Sequence, residues 1–491
     1  MNKQAQIIGE TSIAVPHYPS MVHGVISNES HKEVRSPFDD ALIATVEVSN
    51  RDAIERALQT AYRLFRDRDS WLSAPQRIDV LRRAAVLMSE RAAELSMMIA
   101  REGGKPLVDA RIEVARAIDG VTSCVELVRG SGGRVIPMGI NTASANRIAY
   151  TQTEPIGVVV ALSAFNHPLN LIVHQVAPAV AAGCPFIVKP ASDTPLSCLT
   201  FVAILREAGL PPEWGQAVVT QTQDVATLLA SDKRVGFLSF IGSGDVGWKL
   251  RSSLAPGARC ALEHGGVAPV IVAADADLDA AIPRLAKGAF YHAGQVCVSV
   301  QRIFVHRSIS RELVNRLGKV ASELRVGDPT DVETEVGPLI RLHEVDRVDA
   351  WIQEALAAGA EKITGGYRLG TPSCYAPTVL LNPPDDCRIS QQEVFGPVVC
   401  VYEYDNFDDA VRRANALPVS FQAAVFTRDY EIAMRAFSRL DASTVMLNEH
   451  TAFRTDWMPF AGLRESGLGV GGIPFTFHDM QVEKMFVGTK P

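Results

Sequence analysis

Between Gly157 and Ala273, short apolar runs (GVVVAL, FIVKP, AVVT, FLSFI and PVIVA) alternate with stretches of helical character near 169–182, 195–208, 222–230 and 244–254. Few folds accept that pattern. Strands without a polar face, separated by helices, specify a parallel sheet covered on both sides. A second alternation follows Cys297: RIFVH, a helix near 310–324, VVCVYEY, a helix near 407–416, AAVFT, a further helix, then TVMLN. The chain therefore reads as two doubly wound α/β domains. Ahead of them Ile54, Leu58, Tyr62 and Phe65 recur at helical spacing behind an Asn50 cap. A second helix starts near Pro75 and stops at Gly103-Gly104, and a third runs from about Val108 to Arg129. The segment RIAYTQTEP (147–155) alternates like an exposed hairpin that the tail near 482–488 can pair, and open edges of this kind invite subunit pairing.

Composition narrows the function classes. The 491 residues are 47% hydrophobic and 21% charged, ordinary for a globular chain of two or three domains. A net charge of −7 without a long Lys/Arg run argues against nucleic acid as a partner. The apolar run Ile156 to Phe165 is too short to span a bilayer, and the opening MNKQAQIIGE lacks the pattern of a signal peptide. Eight cysteines without a C-x-x-C pair resemble neither a disulfide scaffold nor a zinc site, so no metal and a reducing, cytoplasmic setting are expected.

Two motifs carry chemistry. After FLSFI comes Gly242-Ser243-Gly244-Asp245-Val246-Gly247 and then a helix, a G-x-G-x-x-G loop in the right context to cradle a pyrophosphate. Glu263 follows Gly242 by 21 residues (263 − 242), where a dinucleotide-binding fold would place its ribose carboxylate; yet the loop follows the fourth strand, whereas the usual fingerprint follows the first. The second motif is FYHAGQVCVSVQ (290–301), whose Cys297 is open to four readings: core filling, half of a disulfide, a metal ligand or a nucleophile.

Seven segments in order, AFNHPLN (164–170), VKPASDTP (188–195), FIGSGDVG (240–247), ALEHGG (261–266), GQVC (294–297), EVFGP (393–397) and MPFAGLRESG (458–467), resemble the aldehyde dehydrogenase superfamily from about residue 20 to the C-terminus. The resemblance implies a cofactor domain over 1–135 and 157–262, a catalytic domain over 263–474, and an oligomerisation arm over 136–156 and 475–491. It implies oxidation of an aldehyde by NAD or NADP. Cys297 matches the nucleophile that forms first a thiohemiacetal and then a thioester. Asn166 matches the oxyanion donor, together with the Cys297 backbone N–H. Glu263 becomes the general base that activates water, not the ribose carboxylate. Glu393 and Phe395 match the pair that holds the nicotinamide ribose and backs the ring. Lys189 matches a ribose-binding lysine, Ser243 faces the pyrophosphate, and Phe165, Gly242 and Gly247 complete the cofactor set. Homodimers or homotetramers are implied through the arm.

Departures from the family pattern sharpen the expectations. Ser192 stands where NAD-preferring relatives carry a Glu that grips the adenosine 2′-hydroxyl; a hydroxyl can bond a 2′-phosphate and Lys189 can pair with it, so NADP should be accepted. His167 and His174 replace aromatic residues of fatty-aldehyde relatives, and Arg454 joins Phe460 near the tunnel mouth. This texture suits a small polar, hydroxylated or anionic aldehyde, as in relatives acting on lactaldehyde or succinate semialdehyde. Equally, Arg454 pairs with Asp456 or another acid. His264 either tunes Glu263 or fills space. Rival readings are a CoA-acylating enzyme, a binding or structural protein on the same fold, and a cysteine hydrolase using His292.

Overall fold

The computed structural model describes residues 15–25, 30–220 and 224–490; the opening segment and the expected start of the helix at 222–223 lie outside them. Its first large sheet has six strands in the spatial order Gly467–Leu468, Arg259–Glu263, Val235–Ile241, Val158–Leu162, Phe186–Lys189, Gly215–Ala217. All pair in parallel except Gly467–Leu468, which runs antiparallel to Leu262 and Glu263. Val158–Leu162 is buried along its whole length, as a strand covered on both faces must be. Chain order reverses between Val158–Leu162 and Val235–Ile241, and such a switch point opens a crevice at the strands' carboxyl ends.

The second sheet has seven strands in the order Glu361–Thr364, Thr378–Leu381, Val398–Tyr404, Arg302–His306, Pro269–Val272, Gln422–Phe426, Thr444–Leu447. Only the edge strand Glu361–Thr364 is antiparallel among them. A third sheet pairs Gln481–Thr489 with Arg147–Pro155 and that with Val135–Ile136, all antiparallel. The tail therefore meets the 147–155 segment as its alternation requires. On this sheet Ile148, Tyr150, Met485, Phe486 and Val487 are exposed, and the Tyr150 and Phe486 rings stack at 5.2 Å.

The N-terminal helices cover the first sheet. Asn50 caps Arg51–Arg66 through a 2.9 Å bond to the Ala53 N–H. The single helix expected from Pro75 to Gly103 is two, Ala74–Glu90 and Ala92–Gly103, broken where Arg91 leaves helical geometry (φ −104°, ψ 16°). Both pieces pack against Leu107–Gly130, which a straight rod could not do, and Arg91 reaches Glu207 at 2.6 Å. The helix Asn170–Ala182 is buried throughout and is the central packing element of this half. Ile473–Asp479 packs on it, so the end of the chain folds back onto the first sheet's helices before entering the third sheet. All eight cysteines are free thiols. Among the described residues no helix is long and apolar enough to cross a membrane, and no cluster of metal-ligating side chains occurs.

Candidate active site

The loop that carries Cys297 is bent tightly before it reaches the cysteine. His292, Ala293 and Gly294 are consecutive left-handed residues, with φ of 48°, 55° and 70°. Gln295 then locks the loop. Its amide donates to the His292 and Pro338 carbonyls at 3.3 and 3.2 Å, and its oxygen accepts from the Ile340 N–H at 3.0 Å. From the opposite side Asn166, just beyond the Val158–Leu162 strand, donates from Nδ2 to the Gln295 carbonyl at 2.9 Å. An amide nitrogen carries two N–H groups, so a second is left to face the cavity.

Cys297, Asn166 and Glu263 line one cavity of about 430 Å³ at the carboxyl ends of the first sheet. The Cys297 thiol is pushed up to about 12, first by burial and then by the Glu393 carboxylate. Glu263 ends the strand Arg259–Glu263; its carboxyl lies so close to Gly471 that any Cβ there would collide with it. Burial raises its pKa, and Arg454 opposes the shift. Glu393 turns inward and accepts from the Gly266 N–H at 3.3 Å, with burial raising its pKa to about 8.

On the cofactor side, Phe165 and Phe395 meet edge to face at 5.7 Å on the cavity wall. Gly242 and Ser243 lead into the helix Gly244–Ser252, and the Ser243 side chain makes no capping bond. The first N–H groups of that helix lack intrahelical partners and suit a pyrophosphate. Gly247 sits one turn on, off the wall, because the His264 ring fills the space where its Cβ would be. That ring stacks on Trp248 at 5.4 Å and 7°, and burial lowers its pKa to about 4. Of the two roles open to His264, space filling under this helix is the one its surroundings fit.

Ser192 lines the cavity; Lys189 lies behind it, with burial lowering its pKa and the Lys32 charge adding to the effect. Two neighbours escaped sequence reasoning. Lys32 donates to the Ser192 carbonyl at 2.8 Å, and Arg341, which pairs with Asp193, stands on the same wall. They come from 160 and 148 residues away in the chain, so no local motif announces them.

On the substrate side, His167 meets the Tyr291 hydroxyl at 3.1 Å, and Arg116, Asn170, Arg454 and Phe460 share the wall. His174 does not line the cavity, contrary to the expectation drawn from sequence; it stands behind Arg454, because its helix turns that face toward Asp456. Nor does Arg454 pair with Asp456. That carboxylate is occupied by Arg116, Asn170 and His174 at 2.7, 3.1 and 2.7 Å. Arg116 was missed, since a lone arginine within a helical run carries no signal in sequence.

The family model described as the aldehyde dehydrogenase family matches residues 25–486. The chain belongs to the aldehyde dehydrogenase family. It is 35% identical to a 3-sulfolactaldehyde dehydrogenase of Priestia aryabhattai over 474 residues, 96% of this chain and 98% of the other. It superposes on aldehyde dehydrogenase 21 of Physcomitrella patens, solved with the product succinate, with a TM-score of 0.93 and 32% identity, covering 97% and 99% of the two chains. A glyceraldehyde-3-phosphate dehydrogenase of Methanocaldococcus jannaschii, complexed with NADP, superposes with a TM-score of 0.89 and 31% identity, covering 94% and 100%. The reaction is therefore oxidation of an aldehyde with NAD or NADP as acceptor, and the glycine loop and aromatic walls fit that cofactor.

A thiol held near 12 is almost wholly protonated at neutral pH. In the unliganded protein, carbamidomethylation of Cys297 by iodoacetamide, followed by peptide mapping, should accelerate about tenfold per pH unit from about pH 7 to 10. A plateau below pH 9 would show a thiolate already formed.

Proposed function

We propose that this enzyme oxidises a small aldehyde bearing an anionic group to its acid, through a thiohemiacetal and a thioester on Cys297. The observation carrying the substrate class is Arg454. Its guanidinium stands 3.6 Å over the Phe460 ring, on the same cavity wall as Cys297, with no carboxylate at ion-pair distance among the described residues. Burial lowers its pKa, yet an arginine stays charged. A buried cation without an ionic partner is costly, and a substrate carboxylate or sulfonate would relieve it. Two relatives carry anionic compounds in their names, one sulfolactaldehyde and one succinate, while others of similar identity are named for betaine aldehyde, a cation, so the substrate class rests on Arg454.

The roles follow from position. A bound nicotinamide supplies the hydride acceptor. Cys297 gives its proton to solvent water and adds as thiolate to the carbonyl carbon, whose oxygen becomes the oxyanion that the second N–H of Asn166 and the Cys297 backbone N–H stabilise. Glu263, whose pKa burial raises, draws a proton from water that attacks the thioester. Its presence favours water over a CoA thiol. Glu393 and Phe395 border the cleft at what would be its nicotinamide end, where the Glu393 carboxylate would hold a ribose hydroxyl. Ser192, Lys189 and Lys32 make a cationic corner that supports acceptance of NADP. The exposed apolar face of the third sheet supports a dimer or tetramer built through it, and the free thiols support a cytoplasmic setting.

Three substitutions test these assignments. Arg454→Met should raise KM for succinate semialdehyde about 10- to 100-fold, the worth of a charged hydrogen bond, while its uncharged primary amide is far less affected. Equal effects would remove the anion reading. Glu263→Gln should leave a burst of reduced nicotinamide in stopped flow, with steady turnover lower by about 100-fold or more; unaltered steady-state turnover speaks against the base assignment. With Ser192→Glu, the kcat/KM ratio of NADP to NAD should fall by about tenfold or more, through repulsion of the 2′-phosphate, and an unchanged ratio refutes the cofactor reading.

A further inference from the structure

Arg454 raises a question of its own: what holds a buried guanidinium in place without neutralising it? Its Nη2 lies 3.3 Å from Nδ1 of His174, and its Nε is buried without a partner. His174 Nε2 lies 2.7 Å from Asp456 Oδ1. That carboxylate also takes Arg116 in a two-pronged contact, at 3.1 and 2.7 Å, and these partners hold its pKa well below the usual carboxylate range against burial. Asp456 is thus an obligate acceptor, so the proton of a neutral His174 must sit on Nε2. The lone pair on Nδ1 is then the acceptor for the arginine N–H. A second ring proton would set donor against donor at Nδ1; burial and the Arg454 charge oppose it, and His174 is held down at about 4.

We propose that His174 is a positioning residue that fixes Arg454 on the cavity wall through a neutral acceptor, and so preserves the positive charge that selects an anionic aldehyde. The charge accounting is local. Arg116 and Asp456 cancel each other, and the imidazole adds nothing, so the wall keeps the charge of Arg454. Glu263 is the carboxylate whose field Arg454 feels most, but it is not paired with it and faces Gly471. A carboxylate at position 174 would hold the arginine equally well and erase the selectivity. The Phe460 ring beneath the guanidinium fixes its plane and likewise leaves its charge intact.

This inference rests on Arg454 being the anion site, and the experiment separates the two. Steady-state kinetics with saturating cofactor would compare succinate semialdehyde with its uncharged amide, in wild type and in H174F, H174N, R454M and H174F/R454M. For H174F the anion-to-amide ratio of kcat/KM should fall about 10- to 100-fold, almost all of it in KM. H174N, whose amide keeps both a donor and an acceptor, should recover part of that ratio; should H174F not fold, H174A, which removes both without added bulk, takes its place. In the R454M background, H174F should change the ratio by less than about twofold, since coupled residues are non-additive. If R454M leaves the ratio unchanged, the anion site itself is wrong. If R454M collapses the ratio while H174F and H174N leave it at the wild-type value, or lower both substrates equally, the arginine reading stands and the positioning role of His174 falls.

Discussion

The hydrogen bond from Asn166 to the Gln295 carbonyl sets the spacing on which the rest of the site depends. It joins the end of the first strand of one sheet to the cysteine loop that precedes the second strand of the other. Everything that must meet at the reacting carbon comes from these two sides. The same amide both measures the gap and presents its remaining N–H toward the cavity. Gln295 makes the far anchor rigid by bonding to Pro338 and Ile340, so the left-handed turn at His292–Gly294 cannot relax. A nucleophile on such a loop stays where it is placed, as pre-organised catalysis requires.

Buried charge is managed in two different ways in this molecule. Two framework carboxylates are saturated. Glu113 accepts from the Leu169 and Asn170 N–H groups, each at 3.0 Å, and also pairs with Lys105, capping the buried helix Asn170–Ala182. Glu102 accepts from the Leu196 and Ser197 N–H groups at 2.7 and 2.8 Å and caps the helix Leu196–Glu207. Neither helix has a side-chain cap of its own, so acids from distant helices meet the positive ends of their dipoles. Functional groups are left less satisfied. Burial shifts Cys297, Glu263 and Glu393 toward their neutral forms as it does Glu102, but Glu393 takes one donor where Glu102 takes three, and Arg454 has no ionic partner among the described residues. The contrast separates framework from chemistry better than burial alone does.

Much of this was legible in the sequence, and the limits have physical causes. Strands buried on both faces, such as GVVVAL and VVCVYEY, announce themselves by unbroken apolarity. The strand Arg259–Glu263 does not, because it lies toward the sheet edge and only Leu262 of its five residues is buried; the segment motif, not strand pattern, found Glu263. Cys297, Asn166 and Glu263 share one cavity as the resemblance implied. What stayed hidden depends on contacts across the chain: the caps from Glu102 and Glu113, the approach of Lys32 to Ser192, and the position of His174 behind Arg454. A period of 3.6 says that Asn170 and His174 share a helix flank, but not that Asn170 lines the cavity while His174 stands behind it. Asp456 decides that, 282 residues away from His174.

The glycine loop is the sharpest case, since its motif suggested a role for Glu263 that the family resemblance replaces with another. In a dinucleotide fold of the usual kind the loop follows the first strand and the acid ends the second, its immediate neighbour. Here the loop follows Val235–Ile241, the fourth strand in chain order, and Glu263 ends the fifth, on the outer side of it. The first strand, Val158–Leu162, is flanked by Val235–Ile241 on one side and by Phe186–Lys189 on the other, with Lys189 at the latter's tip and Ser192 just beyond. The glycine loop thus lies across the switch point from Lys189 and Ser192. With the loop on that side, the end of the fifth strand opens onto the cavity that Cys297 lines, which is how a carboxylate spaced like a cofactor ligand comes to share a wall with the cysteine.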